Sequence, residues 1–383
     1  MEVKDKMQVS DKKLRLMVFE SAKDLGLKID EHLLEKYKLN KDQYTFIIPA
    51  REYFFSDGHM KTEINSTVRG MDIFALTDIG NYSITYKMHG QDNHMSPNDH
   101  IQQLKDGIGA CNSHADKINI IIPLLYAGRQ HRRNTRENLL CGSTLHEFEL
   151  NRHFSRMLVF DAHDQGVEHA LHNTEFDNVM ATNIMIENFL DDASVDELRN
   201  ITFISPDNGA NGRRNIVMNS MNVEENNVQA GSFYKQRDYN RFVDGKNPII
   251  SHDYSGNENL QGRTAIIVDD MISSGGSMFD CIEGVKKRGA EKVYIMTTYA
   301  LFTNGIDEFN KYYENGLLDG VYTTNLSYIP DDYQKQPWLH VCDCSRLVAD
   351  LIFNIHNDLS IAHILRDKSE PKKMLQKKFQ NNS

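Results

Sequence analysis

The sequence predicts an α/β protein built as two doubly wound parallel-sheet domains. Three features carry that expectation. Short apolar runs at 71–76, 118–125, 201–205, 265–268 and 292–301 have the composition of strands buried on both faces. They alternate with helical stripes such as Ile101, Leu104, Ile108 and Cys111. Polar, glycine-containing segments follow the strand ends in both halves, where open α/β sheets present loops to ligands. The expected boundaries are 14–178 for the N-terminal domain and 179–365 for the C-terminal one, the terminal helix packing back on the first domain. A basic tail over 366–383 is expected to fray. With 383 residues, each domain can bury a core of its own.

The stretch 265–280 is the most informative. Ala265 to Val268 reads as a buried strand ending in adjacent carboxylates, Asp269 and Asp270. Ser273, Ser274, Gly275, Gly276 and Ser277 follow, and then Met278, Cys281, Ile282 and Val285 fall on one helical face, with Gly289 as the stop. Strand, tight loop and helix N-terminus together aim backbone N–H groups at an anion. The acids just ahead suit ribose hydroxyls, or a metal ion beside a phosphate. No Gly-Lys-Ser/Thr follows and there is no Gly-x-Gly-x-x-Gly, so neither a Walker loop nor a dinucleotide fingerprint is present.

Along the rest of the chain, 14–19 reads as a first strand, 21–39 as a helix and 44–49 as a strand ending at Pro49. Residues 51–60 read as an aromatic, polar turn before a strand at 61–64, and 81–99 as a loop or insertion. After the apolar run 118–125 comes a loop with arginines at 129, 132, 133 and 136, unusual in so acidic a chain and placed where it could meet polyphosphate. A helix is expected over 145–154, and a strand over 156–160 that ends in Asp161-Ala162-His163-Asp164, a carboxylate–histidine–carboxylate set able to hold a metal–nucleotide complex. The strand 201–205 opens into Pro206, Asp207, Gly209 and Gly212, with Arg213 and Arg214 behind. Lys235 and Arg237 precede a hydrophilic stretch, 238–260, that reads as a mobile loop. Shorter strands are expected at 321–324 and 339–342, and a helix at 345–355.

Composition narrows the function class. A net charge of −11 argues against general nucleic-acid binding. No apolar run approaches the length that spans a bilayer, and the charged start lacks the apolar centre of a signal peptide. Five scattered cysteines do not suggest a disulfide framework, and Cys342-x-Cys344 reads as strand residues rather than a metal site. A cytoplasmic setting is the expectation.

Taken in order, these stretches resemble the ribose-phosphate pyrophosphokinase family, from about residue 44 to about 365. The family's Phe-Ser-Asp-Gly-Glu motif, which contacts adenine, appears as Phe55-Ser56-Asp57-Gly58-His59. Tyr-Ala-Arg-Gln-Asp appears as Tyr126-Ala127-Gly128-Arg129-Gln130-His131, and Asp-Leu-His-Ala as Asp161-Ala162-His163-Asp164. Ser-Pro-Asp-x-Gly-Gly appears as Ser205 to Ala210, the mobile-loop Lys-x-Arg as Lys235-Gln236-Arg237, and the phosphoribosyl loop as Val268 to Ser277. The departures are His59 and His131 in place of acids, Gly128 as an extra residue, Ser273 in place of the loop's third acid, and the long 81–99 stretch. The chain therefore resembles a divergent member.

The resemblance implies domains of the type I phosphoribosyltransferase kind and transfer of a diphosphoryl group from Mg-ATP to the 1-hydroxyl of ribose 5-phosphate. It implies ATP contacts from Phe55, Asp57, His59, Arg129, Gln130 and His163, and magnesium (Mg2+) organised by His163 and Asp207. Asp269, Asp270 and Ser273 to Ser277 would take ribose 5-phosphate, and Lys235 and Arg237 would be catalytic. A homo-oligomer, dimer or larger, is implied, with no nucleic acid and no membrane as partner. Two rivals stand beside this reading: a non-catalytic regulatory homologue, favoured by the altered acids, and a phosphoribosyltransferase that uses 5-phosphoribosyl 1-diphosphate instead of making it.

Overall fold

The computed structural model describes residues 13–112, 114–133, 136–151, 154–237, 249–366 and 369–381, with the side chains of 235–237, 249–252 and 366 left undescribed. The chain divides into two units. The first is Met1–Met180 with Asn325–Tyr328 and Asp343–Arg366, and the second is Ala181–Thr324 with Ile329–Cys342 and Asp367–Ser383.

The first unit runs β1 (Leu14–Val18), α1 (Lys23–Tyr37), β2 (Ala50–Phe54), β3 (Met60–Ile64), β4 (Asp72–Leu76), β5 (Thr85–Met88), β6 (Gln91–His94), α2 (Pro97–Cys111), β7 (Lys117–Ile121), α3 (Leu140–Asn151), β8 (Arg156–Phe160) and β9 (Glu175–Val179). Among the described residues its main sheet has the order β1-β4-β7-β8-β9, with every neighbouring pair parallel. β4 is buried at every position, as a strand covered on both faces must be. Ile73, Ala75, Ile120 and Val159 of the sheet meet Leu104 and Ile108 of α2 in the core. A capping box fixes where α2 begins: the Ser96 hydroxyl accepts from Asp99 N–H, the Asp99 carboxylate accepts from Ser96 N–H, and Pro97 takes the first turn.

Three expectations for this unit need correction. Residues 44–49 form no strand, only a parallel bridge from Ile47 to Leu16. The ladder to β1 is two bonds long, Leu16 N–H to Phe46 O (2.8 Å) and Ile48 N–H to Leu16 O (2.9 Å), and the Asp30 carboxylate holds the segment beside it by accepting from Phe46 N–H (2.8 Å) and the Thr45 hydroxyl (2.7 Å). The turn at 51–60 is a hairpin, β2 paired antiparallel to β3 from Ala50↔Ile64 to Phe54↔Met60. The 81–99 stretch is a second hairpin, β5–β6, followed by the start of α2. Its turn, His89-Gly90, has φ of 48° and 80°, the double left-handed geometry that suits a two-residue connection.

The second unit runs α4 (Thr182–Asp192), α5 (Val195–Arg199), β10 (Asn200–Ser205), α6 (Asn211–Ser220), β11 (Asn227–Arg237), β12 (Ile249–Ser255), β13 (Thr264–Ile272), α7 (Gly276–Lys287), β14 (Lys292–Ala300), α8 (Asp307–Glu314), β15 (Gly320–Thr324) and β16 (Leu339–Cys342). After it, α9 (Ser345–His356) and α10 (Ala362–Arg366) belong to the first unit, and α11 (Ser369–Gln380) to the second. The sheet order is β12-β11-β10-β13-β14-β15-β16, parallel throughout except for β12 against β11. Alternate residues of its strands face two cores. Ile204, Ile267 and Ile295 pack with Met278, Ile282 and Val285 of α7 on one side. Phe203, Ile266 and Met296 pack with Ile186 and Phe189 of α4 and Val217 of α6 on the other. This is the doubly wound arrangement the sequence predicts.

α9 packs against α1 through Tyr37 and Phe353, whose rings lie 5.1 Å apart, and Nδ1 of His356 meets the Asp72 carboxylate at 2.7 Å. Cys344 sits at the N-cap of α9 rather than in a strand, while Cys342 does end β16. The mobile-loop stretch is in part β12, paired with β11, and 238–248 lies outside the described residues.

The tail departs most from expectation. Instead of fraying, α11 sinks Leu375 and Phe379 into the core beside Phe189, and Lys378 reaches the Leu190 carbonyl. Its i, i+4 apolar pair was masked by the surrounding lysines. Phe379→Ala is expected to destabilise the protein by about 3 kcal/mol through lost burial and the cavity left behind. A urea denaturation curve measures this, and an unchanged midpoint would mean that the tail does not pack.

Candidate functional site

In the second unit the chain leaves β10 toward β11 on one side, while β13 lies on the other. The crevice at the C-terminal ends of β10 and β13 is therefore the topological switch point, where open α/β sheets bind ligands. The register shapes it. β10 pairs with β13 only as far as Ile204↔Ile267, whereas β13 stays paired to β14 as far as Ile272↔Ala300. β13 thus runs on through Asp269 and Asp270, past the expected end at Val268, with one edge outside the ladder among the described residues.

Asp207 follows β10, and its carboxylate accepts from Ala210 N–H at 3.1 Å. Asp269 is partly exposed and accepts from Asp270 N–H at 2.9 Å, while Asp270 is 2% exposed. Burial first, then the charge of Asp270 and a hydrogen bond with it, then the charge of Asp207, hold the Asp269 carboxyl well above the usual carboxylate range. Acids gathered at the end of one strand are the electrostatic mark of a site built for a ligand.

The loop 273–277 closes the crevice. Ser273 O accepts from Thr303 N–H and Ile272 O from Leu301 N–H, both at 2.9 Å, which ties the loop to the segment after β14. Gly275 caps α7 with φ 88°, and a β-carbon there would lie 2.8 Å from Phe279 and 2.9 Å from Phe309. Only glycine satisfies both constraints. Gly276 and Ser277 are exposed and open α7 at its positive end; no acidic side chain sits in the first turn, and Lys286 and Lys287 occupy the last.

Sequence reasoning missed a buried network that fixes the edge of this crevice. The hydroxyls of Ser205 and Ser232 both donate to Asn211 Oδ1, at 2.6 and 2.8 Å. Arg214 donates to Gly231 O at 3.0 Å and to Ser232 Oγ at 2.6 Å. It ties α6 to the stretch of β11 that leads to Lys235 and Arg237. The backbone places Lys235 opposite His252 and Arg237 opposite Ile249, and their side chains lie outside the described ones. The signal available was the pair Arg213-Arg214 behind a glycine loop.

In the first unit the expected nucleotide residues fall into two groups. Phe55, Asp57 and His59 share the exposed tip of the β2–β3 hairpin. Phe55 N–H donates to His59 O at 2.8 Å, and Asp57 receives His59 N–H and the His59 ring, both at 3.1 Å. The bond from His59 N–H, then that from its ring, holds the Asp57 carboxyl below its usual range.

The other group joins the loops after β7 and β8. His131 Nε2 lies 3.3 Å from Asp164, Arg132 3.9 Å from the same carboxylate, and the His131 and His163 rings are 5.4 Å apart. Arg129 and Gln130, both exposed, immediately precede His131. Asp164 also caps the turn 165–170 by accepting from Gly166 N–H at 2.8 Å, so its carboxylate is committed to local contacts. Asp161 is buried at left-handed φ 42°, and His163 is exposed.

The switch point of this unit lies between β4 and the Ile47 bridge, at β1. Protein fills it. Ser21 Oγ meets Thr77 at 3.2 Å and Asp78 N–H at 3.2 Å, and the Asp78 carboxylate accepts from Gly80 N–H (2.8 Å), the Ser327 hydroxyl (3.0 Å) and Tyr328 N–H (2.6 Å). Burial pushes the Asp78 carboxyl up to about 6. The segment Asn325–Tyr328 plugs the place that stays open in the second unit.

Among the described residues no group of three or more His, Cys, Asp or Glu is placed to hold a metal ion by itself. The oxygen donors of Asp207 fit magnesium, which binds through one or two carboxylates together with substrate phosphates.

Asp269→Asn keeps the acceptor for Asp270 N–H and removes a crowded charge. A carboxyl with a raised folded pKa is uncharged in the fold below its unfolded value near 4, and costs stability progressively as the pH rises above that. At pH 7.5 the variant is expected to have the higher Tm, with the gain vanishing at pH 4. A calorimetric scan at both pH values checks this; a lower Tm at pH 7.5 would overturn it.

Two family models match the chain. That of the N-terminal domain of ribose phosphate pyrophosphokinase covers residues 14–147, and that of the phosphoribosyl synthetase-associated domain covers 252–366. Among curated proteins, the ribose-phosphate pyrophosphokinase of Vibrio parahaemolyticus is 26% identical over 311 residues, covering 80% of this chain and 88% of that protein. The enzyme of the same name from a Nostoc species is 24% identical over 313 residues, covering 82% and 84%. The solved structure of phosphoribosylpyrophosphate synthetase from Mycobacterium smegmatis superposes with a TM-score of 0.68 over 90% of this chain and 99% of that one, at 18% identity, a likeness of fold. The chain belongs to the ribose-phosphate pyrophosphokinase family, of which it is a divergent member.

Proposed function

We propose that the protein transfers the β,γ-diphosphoryl group of Mg-ATP to the 1-hydroxyl of ribose 5-phosphate, giving 5-phosphoribosyl 1-diphosphate and AMP. The observation that carries this reading is the open switch-point crevice, with Asp207, Asp269 and Asp270 beside an acid-free helix N-terminus. A sugar phosphate matches both halves: its anion suits the amides of 273–277, and its ribose hydroxyls suit the carboxylates. The sugar oxygen would form a bond to the β-phosphorus, the bond from that phosphorus to the α–β bridging oxygen would break, and the hydroxyl proton would leave to solvent.

The residues take roles that follow from their chemistry. Asp269 and Asp270 orient the ribose, and Ser273, Ser274, Gly275, Gly276 and Ser277 hold its phosphate. Phe55, Asp57 and His59 contact the adenine moiety, and Arg129, Gln130 and His163 the rest of the nucleotide. His163 and Asp207 would hold Mg2+, which when bound neutralises phosphate charge. Lys235 and Arg237 stabilise the charge that develops during transfer, a step governed by positioning and electrostatics. A homo-oligomer and a cytoplasmic setting go with this reading.

A second reading has specific support. His131 is paired to Asp164, and His59 to Asp57, at positions where the family motif carries acids. A non-catalytic regulatory homologue would tolerate such changes. AMP release from Mg-ATP by the purified protein, with and without ribose 5-phosphate, separates the two. Sugar-dependent AMP, with 5-phosphoribosyl 1-diphosphate as the other product, is expected; tight sugar-phosphate binding without turnover would favour the regulatory homologue. In the active protein, Lys235→Ala is expected to lower kcat by about 100-fold or more with little change in ribose 5-phosphate KM. Equal losses in both would contradict a transition-state role.

A further inference from the structure

The β5–β6 hairpin occupies a stretch that the family resemblance leaves unexplained, and it lies against the tip of β2–β3. Three contacts run along the pair. The rings of Phe54 and Tyr86 stack with centroids 5.1 Å apart and planes 17° from parallel. His89 N–H, in the β5–β6 turn, donates to Ser56 O at 2.8 Å. Gly58, at φ 92°, leaves room for the Met88 sulfur, which would sit 2.6 Å from a β-carbon placed there. All three contacts fall within 54–58 of the first hairpin and 86–89 of the second, so the second braces the first at its tip.

Both hairpins are themselves anchored. The Glu52 carboxylate of β2 accepts from Glu20 N–H at 2.8 Å and from Gln103 of α2 at 2.7 Å. At the far end of β5–β6, Met95 is buried and its N–H donates to Ile84 O at 2.8 Å. A two-stranded hairpin alone is marginal in water. The tip at 55–59, largely exposed, therefore depends on the β5–β6 brace for a fixed conformation.

We propose that the β5–β6 hairpin is a positioning element of the nucleotide site, with Tyr86, Met88 and the His89 amide holding the 55–59 tip in the form that receives the purine of ATP. Tyr86 and Met88 are positioning residues that act through the tip. The inference rests on the reading of the tip as nucleotide-contacting. A preformed tip loses less freedom when nucleotide binds, so the brace acts on ATP affinity more than on turnover.

The test is steady-state kinetics on Tyr86→Ala, Met88→Ala and Tyr86→Phe in the full chain, with Tm as a check on folding. Tyr86→Ala is expected to raise the KM for Mg-ATP about tenfold, leaving the ribose 5-phosphate KM and the kcat at saturating ATP within about twofold. Tyr86→Phe, which retains the stacking ring, is expected to restore the wild-type ATP KM. An unchanged ATP KM in both alanine variants overturns the inference. So does a parallel fall in kcat, both affinities and Tm, the pattern of a merely structural residue. If the wild type shows no turnover, the proposed activity fails, and equilibrium dialysis of ATP against the same variants decides the brace alone. Weaker binding by the alanine variants supports it, and equal or absent binding overturns it.

Discussion

The structure depends on the double burial of β13. A parallel strand covered by helices on both faces has no room for polar side chains along its length. Its chemistry is confined to the C-terminal end, where one neighbour turns away. β10 stops pairing at Ile204↔Ile267 while β14 continues to Ile272↔Ala300, so Asp269 and Asp270 stay in regular strand geometry with one edge outside the ladder among the described residues. Their backbone is held by the ladder, and only their side chains answer to a ligand. Burial and the neighbouring charges of Asp270 and Asp207 disfavour an ionised Asp269, and cores such as that around Phe203 and Ile266 supply the stability that permits it.

The two units use the same scheme differently. In the second, the switch point is open and ends in a helix N-terminus. In the first, Asp78 gathers Gly80, Ser327 and Tyr328 around itself, and the equivalent crevice is filled. The polar residues of the first unit lie farther along the sheet, after β7 and β8, and on a hairpin outside it. A loop after a strand can take up a ligand role without altering the strand, and the order of these motifs along the chain follows the order of strand ends.

Much of this was legible in the sequence. β8 was read at its observed bounds, and the stripe Ile101, Leu104, Ile108 and Cys111 is the buried face of α2. The loop 273–277 could be read because glycine at a left-handed position and small residues at a helix start leave a local signature. The rest was set by partners distant in sequence. The Asp30 carboxylate, sixteen positions away from Phe46, holds a segment whose pattern suggested a strand. The β5–β6 hairpin has little apolar alternation of its own, and the hairpin beside it and Met95 in the core hold it in place. Lysines surround the apolar pair of α11, so its buried face stood out only once α4 was seen to cover it. The Arg214 network left only the pair Arg213-Arg214 as a signal, since nothing local shows that a guanidinium will be buried among serines.

The central claim is that the crevice at Asp207, Asp269 and the 273–277 loop cradles a sugar phosphate. Calorimetric titration of ribose 5-phosphate, with Mg2+ and without ATP, into the wild type and Gly275→Ala tests it most directly. The account predicts saturable binding at one site per chain by the wild type, weakened about tenfold or more in a variant whose circular dichroism is unchanged. Equal affinity in the two proteins, or no binding by the wild type, would contradict it.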